Sequence, residues 1–456
     1  MKIIVIGLGR TGKLLISALA SENYDIVVID KERKLIDAIT DQYSVNGIVG
    51  SGASRDTLMA AGAQTADAIV ALTPIDEINL LSCMQAKNLG TRYASARITM
   101  PEFVKDFEAL KQEYCIDFIL KPKEDVAEEI YMNIGMPGYT KLVGFWTGGL
   151  HLMDLNLLED SPMCGRSLND IKKSSNLNML VAAVLRGGKL TIPNGDFVVK
   201  AGDNLTVAIL EEELSGTLKT FGACRKKVRK VMIVGGSIIS EYLLRKMKKD
   251  GYQITVLEKD PNRCRELMER FSTCRILCTG DGELLEILKE EKISDMDMVI
   301  SLTDSDETNL VVSMYAWSCH IPSIITYVEV PEHLRMLHKV NIDITVSSVE
   351  SASLKAMRFI RYHDGEHSQR EIGKFYLVAE GQAEIKELLV GPDFKLLNIP
   401  FKEKAFHLKN GVLITAIIRG SELIVPSGET SILEGDRVII TTSRKLKIRQ
   451  LNDIGV

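Results

Sequence analysis

Met1–Gly12 reads MKIIVIGLGRTG, a short apolar run that leads directly into Gly7-Leu8-Gly9-Arg10-Thr11-Gly12. Helical spacing follows in Leu14, Leu15, Ala18 and Leu19. A G-x-G-x-x-G pattern alone says little, but between a buried parallel strand and a helix it is the first turn of a dinucleotide-binding fold. Gly7 permits the tight turn. Gly9 lets the backbone approach a pyrophosphate with no Cβ in the way, and Gly12 lets the helix pack on the strand. The helix N-terminus then offers unpaired N–H groups to the anion. A second apolar run, Ile26–Ile29, ends on Asp30, 18 residues after Gly12. An acid there accepts hydrogen bonds from ribose hydroxyls, which favours NAD(H), or the ribose of ATP or ADP, over NADP. Leu8 and Lys31 flank these groups and complete the expected glycine-loop and ribose contacts.

Outward from this unit, the pattern alternates. Helix 31–41, strand 45–49, helix 54–61, strand 68–72 and helix 76–89 are expected, then a strand at Tyr93–Ile98, a helix after Pro101, a strand at Asp117–Leu120 and a helix from Lys123. Such alternation predicts a doubly wound parallel sheet. Arg97, at the end of the fifth strand, is placed to reach a phosphate. After Gly138 the texture changes to short alternating runs (142–146, 151–155, 179–185, 197–199, 205–209) broken by Gly and Pro. These predict a small β-rich α+β domain, with PNGD (193–196) as a hairpin turn.

The chain then repeats itself. Gly7 returns as Gly235 and Asp30 as Glu258, each 228 residues on; ALTPIDEINL (71–80) returns as SLTDSDETNL (301–310), offset by 230; AGDNLTV (201–207) returns as EGDRVII (434–440). A nearly constant offset means that a whole two-part unit was duplicated. The expected fold is therefore α/β: two Rossmann-like sheets over 1–138 and 228–368, each followed by a small domain, over 139–224 and 369–456. In the second small domain PSGE (426–429) takes the place of PNGD. The second glycine loop is Gly235-Gly236-Ser237-Ile238-Ile239-Ser240, with Ser237 and Ser240 in place of the close-approach and packing glycines. Glu258 keeps the ribose acid, while tyrosine at 327 replaces Arg97. The second site is expected to be weak, altered or empty.

Composition is that of a soluble globular protein: 45% hydrophobic, 26% charged, net charge −5. A negative net charge gives no general attraction to nucleic acid or anionic lipid. No run approaches 18 apolar residues, and Met1 enters a strand with no leader pattern. Eight scattered cysteines read as free thiols of a reducing cytosol rather than as a disulfide framework or zinc site. The basic cluster at Arg225, Lys226, Lys227, Arg229 and Lys230 reads as a solvated linker. A dehydrogenase needs a proton donor or acceptor beside its nicotinamide. The first 140 residues contain no histidine, and no GxSxG or P-loop occurs anywhere. His363 and His367 are four apart but are interrupted by Gly365 and lack a third ligand. No metal site or catalytic residue is expected, and the pattern points to sensing by binding. An NAD-dependent oxidoreductase of unusual architecture is the competing class.

GLGRTG (7–12), Asp30, AGAQTADAIVALTPIDEINLL (61–81), SLTDSDETNL (301–310) and the two small domains together resemble the TrkA family, the regulatory subunits of Trk potassium-uptake systems built from two tandem RCK/KTN modules. Single-module relatives, the Ktr-type subunits and channel cytosolic domains, have only one half. The resemblance implies a peripheral cytoplasmic protein that binds NAD(H) and adenine nucleotides. It implies a homo-oligomeric ring, a tetramer, beneath a membrane-embedded potassium channel or transporter whose gate the ring controls. Another ion transporter is the alternative partner. By position it implies that Gly7, Gly9, Arg10, Thr11 and Gly12 hold the pyrophosphate, Asp30 the adenosine ribose, and Thr73 and Pro74 line the cofactor. Gly52 and Ala53 fall where the family often has Gly-Asp after the third strand, a pair kept as Gly280-Asp281 in the second half. The corresponding second-module candidates are Gly235, Gly236, Ser237, Ile238, Glu258, Asp281 and Thr303. Helices at 101–110 and 124–134 fall where the family swaps or packs subunits.

Overall fold

The computed structural model describes residues 1–20, 22, 24–101, 103, 111–136, 140–146, 149–175, 177–222, 224, 227–280, 284–330, 333, 344–364, 375–379, 381–446, 448 and 450–455. The chain divides into two compact units. One joins 1–131 with 229–321 and 325–366; the other joins 132–228 with 322–324 and 367–456.

In the first unit, β1 (Lys2–Ile6), β2 (Asp25–Asp30), β3 (Asn46–Val49), β4 (Ala68–Ala71), β5 (Tyr93–Arg97) and β6 (Phe118–Leu120) form a parallel sheet in the order β3-β2-β1-β4-β5-β6. Ile3–Ile6 and Ala68–Ala71 are fully or almost fully buried. Continuous apolar runs suit a sheet covered on both faces. The helices α1 (Arg10–Leu19), α2 (Arg33–Gln42), α3 (Arg55–Ala60), α4 (Asp76–Leu89) and α5 (Pro122–Met132) alternate with the strands. α4 matches its expected bounds, and most of the other ends shift by one or two residues.

The small sheet that follows contains β7 (Thr140–Trp146), β8 (Leu150–Asn156), β9 (Met179–Arg186), β10 (Lys189–Thr191) and β11 (Asn204–Leu210), with α6 (Leu168–Ser175) and α7 (Leu214–Thr220). The second half repeats both parts. β12 (Lys230–Val234), β13 (Gln253–Glu258), β14 (Arg275–Cys278), β15 (Met298–Ser301), β16 (Ser323–Tyr327) and β17 (Ile344–Val346) take the order β14-β13-β12-β15-β16-β17, that of the first sheet. Its helices are α8 (Ile238–Met247), α9 (Pro261–Arg270), α10 (Leu284–Glu290), α11 (Asp306–Ser318) and α12 (Ser348–Tyr362). The second small sheet, β18 (Phe375–Val378), β19 (Ala383–Leu389), β20 (Val412–Arg419), β21 (Glu422–Ile424) and β22 (Arg437–Ser443), repeats the topology of the first.

The two parallel sheets exchange their last helices. α12 belongs in sequence to the second module, yet it packs along α1 and against β5 and β6 of the first. Phe359 stacks on Phe118 with ring centroids 5.9 Å apart, His363 stacks on Tyr93 at 3.7 Å, and Arg361 pairs with Glu22. In return α5 reaches the second module. Lys123 Nζ donates to the Tyr327 hydroxyl at 2.9 Å, Tyr131 donates to Asp250 at 2.9 Å, and Asp125 and Glu128 pair with Lys355 and Lys246. The segment expected to pack a neighbouring subunit, 124–134, is thus engaged by the other half of its own chain; most of 101–110 lies outside the described residues.

In the second unit the two small sheets share one core. Leu150, Leu152, Ala182 and Leu185 pack with Val378, Ile385, Ile418 and Ile439. The hairpin turns are not where the Pro-containing tetrads predicted them. β9 and β10 are joined at Gly187-Gly188, with φ +55° and +76°, and β20 and β21 at Gly420-Ser421. A two-residue turn of this hand needs positive φ at its centre, which the glycines supply and proline forbids. PNGD instead forms a turn in the β10–β11 connection, where Phe197 N bonds Asn194 O at 3.1 Å. The run 197–199 makes only an isolated bridge, Ser167 to Val198.

Burial pushes the Asp154 carboxyl, on β8, up to about 6, against the opposing pull of the Thr206 hydroxyl, which donates to it at 2.6 Å, and of Lys141. A folded-state value above the unfolded one means that folding favours the protonated acid, so this contribution is complete at low pH and is lost as pH rises from about 4 to about 6. Asp154→Asn, which keeps the acceptor, is expected to raise stability by at most about 3 kcal/mol at pH 7–8 and by little at pH 4. Thermal melts at the two pH values check this.

Candidate nucleotide-binding site

The carboxyl ends of β1, β4 and β5 meet at one edge of the first sheet, the place where open α/β sheets bind ligands. Gly7 leaves β1 with φ +91°, its N–H bonded to Ile29 O at 2.9 Å. A Cβ there would meet Thr73 N at 2.9 Å. A Cβ on Gly12 would sit 2.0 Å from Gly7 O, so the helix packs as closely as the motif implies. Gly9 differs from both. It caps α1 at φ −64°, and a Cβ on it would touch nothing within 4 Å. That open space lies before a helix N-terminus with no side-chain cap, so the first N–H groups of α1 are presented outward.

Asp30 closes the other side. Its Oδ2 accepts from Leu8 N at 2.6 Å and its Oδ1 from Glu32 N at 2.9 Å. Each oxygen keeps a further lone pair, the capacity that paired ribose hydroxyls require. Lys31 beside it is exposed. Gly52 is buried, since a Cβ there would meet Ile6 Cγ2 at 2.4 Å; Ala53 O accepts from Gln85 at 2.8 Å. Thr73 lies at the end of β4 with its hydroxyl 2.7 Å from Asn79 Oδ1, so it faces the cleft chiefly through backbone, and Pro74 next to it is exposed.

Two groups that sequence reading left without a role hold this edge together. Asn79 is fully buried, and its amide donates to Thr73 O and Arg97 O at 3.0 and 2.9 Å while its oxygen accepts from Thr73 N. Asp76 accepts from Thr99 N and Met100 N at 2.8 and 2.7 Å. The signal was present: D-x-x-N recurs as Asp306 and Asn309, which make the same bonds to Thr303, Tyr327 O and Glu329 N. Arg97, at the tip of β5, has a buried Nε with no hydrogen-bond partner among the described residues. Arg10 points elsewhere, its Nη1 2.7 Å from Glu329 Oε2 of the second module. Burial opposes the charge on Glu329, but the Tyr327 hydroxyl, Lys123 and Arg10 outweigh it and hold the carboxyl below its ordinary range.

The TrkA-N domain family matches residues 3–118 and 231–348, and the TrkA-C domain family residues 152–222 and 385–451. The chain belongs to the TrkA family. It is 28% identical over 448 residues to the Trk system potassium uptake protein TrkA homolog 1 of Methanosarcina mazei, covering 96% of this chain and 97% of that one. It is 26% identical over 459 residues to the Trk system potassium uptake protein TrkA of Haemophilus influenzae, covering 100% and 98%. Among solved structures it is similar to the GsuK RCK domain (TM-score 0.61, 17% identity, 97% of this chain and 92% of that one). It is also similar to the GsuK channel bound to NAD (0.60, 18%, 97% and 77%). At such identities the likeness is one of fold.

The second TrkA-N loop keeps the shape of the first and closes its anion end from within. Gly235 has φ +104°, and Glu258 accepts from Gly236 N and Asp260 N at 2.5 and 2.8 Å, as Asp30 does. Ser237 has the backbone of Gly9, but its hydroxyl accepts from Ser240 N, taking a helix N–H that the first loop leaves open. Ser240 is fully buried and donates to Gly235 O at 2.6 Å. Arg263 lies over the loop, its Nε 2.7 Å from Gly236 O, and pairs with buried Glu241, which Arg245 and Arg270 also contact. Burial opposes ionisation of Glu241, and these arginines reverse the balance and lower its pKa. In the first TrkA-N domain the matching positions are Leu35 and Lys13. Ile238 opens α8 and Thr303 repeats the role of Thr73, while Asp281 lies outside the described residues. Among the described residues no group of three potential metal ligands gathers, and no helix is long and apolar enough to cross a membrane. His363 is held in the ring stack on Tyr93, and His367 lies outside the described residues.

Proposed function

We propose that this chain is the peripheral, cytoplasmic regulatory subunit of a Trk-type potassium channel or transporter, and that it senses NAD(H) and adenine nucleotides at its first glycine loop. The observation that carries the reading is the contrast between the two loops: an uncapped helix N-terminus before open space at Gly9, and the same terminus capped by Ser237. Gly7, Gly9, Thr11 and Gly12 would hold the pyrophosphate, Asp30 the ribose, and Arg97 with its unsatisfied Nε a phosphate. The two-part unit, at 1–138 with 139–224 and 228–368 with 369–456, is read as two modules of a ring, a tetramer of chains. No residue at the first loop is placed for proton transfer to a nicotinamide, so binding without turnover is the favoured class over an oxidoreductase.

A ligand shifts such a ring only through different affinities for its two states. Arg10 supplies a route. Its guanidinium stands at the glycine loop and is held by Glu329, so phosphate charge in the loop competes with a carboxylate of the second module. ATP, with more phosphate charge than ADP, would compete harder. The test is titration calorimetry of NADH, NAD, ATP and ADP against the intact chain. One saturable site per chain is expected. Two sites per chain would overturn the closed second loop, and binding of none of the four would leave a scaffold in place of a sensor. Arg97→Ala is expected to weaken ATP about tenfold, by roughly the value of one charge-assisted hydrogen bond. Equal discrimination of ATP from ADP in that variant would remove Arg97 from the mechanism.

A further inference from the structure

Two thiols of the second module converge on one backbone carbonyl. Cys264, in the first turn of α9, is 2% exposed and directs its Sγ to Glu258 O at 3.4 Å. Cys278 ends β14, where it is the direct cross-strand partner of Glu258 in the parallel register, and it is exposed. Thr279 N bonds the same Glu258 O at 2.8 Å, which fixes the end of β14 to that point. The two thiols share a hydrogen bond, and burial together with that bond pushes the Cys264 thiol up to about 12. The first module has no counterpart: its matching positions are Ile36, buried in the core, and Val49, paired with Asp30. The neighbour of Cys264 in sequence is Arg263, whose Nε rests on the second glycine loop at Gly236 O.

We propose that Cys264 and Cys278 form a reversible disulfide in response to a hydroperoxide, clamping α9 to β14 beside the second glycine loop. The exposed Cys278, as thiolate, attacks one peroxide oxygen; the O–O bond breaks, Cys278 becomes a sulfenic acid, and the other oxygen leaves as an alcohol or water after taking a proton. Cys264 sulfur then attacks the sulfenic sulfur, the S–O bond breaks, and water leaves with the Cys264 proton. Two thiols lose two electrons and the peroxide gains them. The division of labour follows from access: the protonated, enclosed Cys264 is not the first to meet peroxide, and Cys278 finds its resolving partner already in contact. A disulfide there holds the turn that carries Arg263, so the loop that Ser237 and Arg263 close becomes covalently fixed in its closed form.

The experiment is hydrogen-peroxide titration of the intact chain, followed by thiol counting and peptide mass mapping. Loss of two of the eight thiols is expected, with a Cys264–Cys278 cross-linked peptide that dithiothreitol reverses. Cys278→Ser, at an exposed position that leaves the core intact, is expected to abolish the cross-link. Cys264→Ala is expected to leave Cys278 as a sulfenic acid that traps dimedone or advances to sulfinic acid. A cross-link between Cys278 and Cys274, or between two chains, would overturn the assignment. So would oxidation of Cys278 in the wild-type chain with Cys264 remaining a free thiol.

Discussion

Gly9→Ala is expected to lower NADH affinity at the first loop by about 100-fold while moving the melting temperature by no more than about 1 °C. The fold tolerates a Cβ at this point on two counts. Nothing lies within 4 Å of the position the methyl would take, and Ser237 already carries a side chain on the same backbone conformation in the second loop. What the methyl fills is the space before the α1 N-terminus, so a pyrophosphate would be held away from the N–H groups. Losing two hydrogen bonds to a charged acceptor costs about 3 kcal/mol, which is roughly two decades in affinity. The neighbouring glycine makes the contrast. At Gly12 a Cβ would fall 2.0 Å from Gly7 O, so Gly12→Ala is a change to the packing of α1 and loses stability together with binding. Calorimetric affinity and a thermal melt, run on both variants, separate the two roles. A Gly9→Ala protein that binds NADH as the wild type does would show that the open space is not where the ligand sits.

Much of this was legible because the fold's determinants are local. An apolar run, three glycines at fixed spacing and an acid at the next strand end specify a strand–turn–helix–strand unit, and each is contiguous in the chain. The degeneration of the second loop was also readable, though only in part. A Cβ at 237 was expected to crowd a pyrophosphate; the larger effect is the Ser237 hydroxyl, which caps the helix and removes a donor the ligand would use. Arg263 was out of reach of sequence reading, since nothing in α9 announces that a side chain 27 residues beyond Gly236 returns to its carbonyl. The turns were misassigned because Pro and Asn-Gly signal a turn without saying that it joins two paired strands. The exchange of α5 and α12 was the least visible feature: each helix has an apolar face suited to a parallel sheet, and periodicity does not say which sheet.

That exchange makes Phe359→Ala the substitution with the largest expected effect on stability, and it should act on the module to which Phe359 does not belong in sequence. Phe359 is 5% exposed and stacks on Phe118 of the first sheet. Truncating a buried aromatic costs roughly 3–5 kcal/mol through lost transfer energy and the cavity left behind. Tyr362 on the same helix is 62% exposed, so Tyr362→Ala should change stability little and serves as the control. A chain of several domains does not unfold in one step, so the readout is hydrogen exchange resolved by segment. Faster exchange is expected in β5, β6 and α1, because α12 packs on all three. α1 also supplies the N-terminus of the first glycine loop, so apparent NADH affinity should fall in proportion to the fraction of molecules with α12 undocked. If protection were lost only within 230–330, α12 would stabilise its own module alone, and the exchanged packing would not be the arrangement in solution. Loss in the first module, with NADH restoring protection there, would show that a helix encoded by one copy holds the nucleotide loop of the other. The two halves would then be one regulatory unit, and neither could be deleted without disabling both.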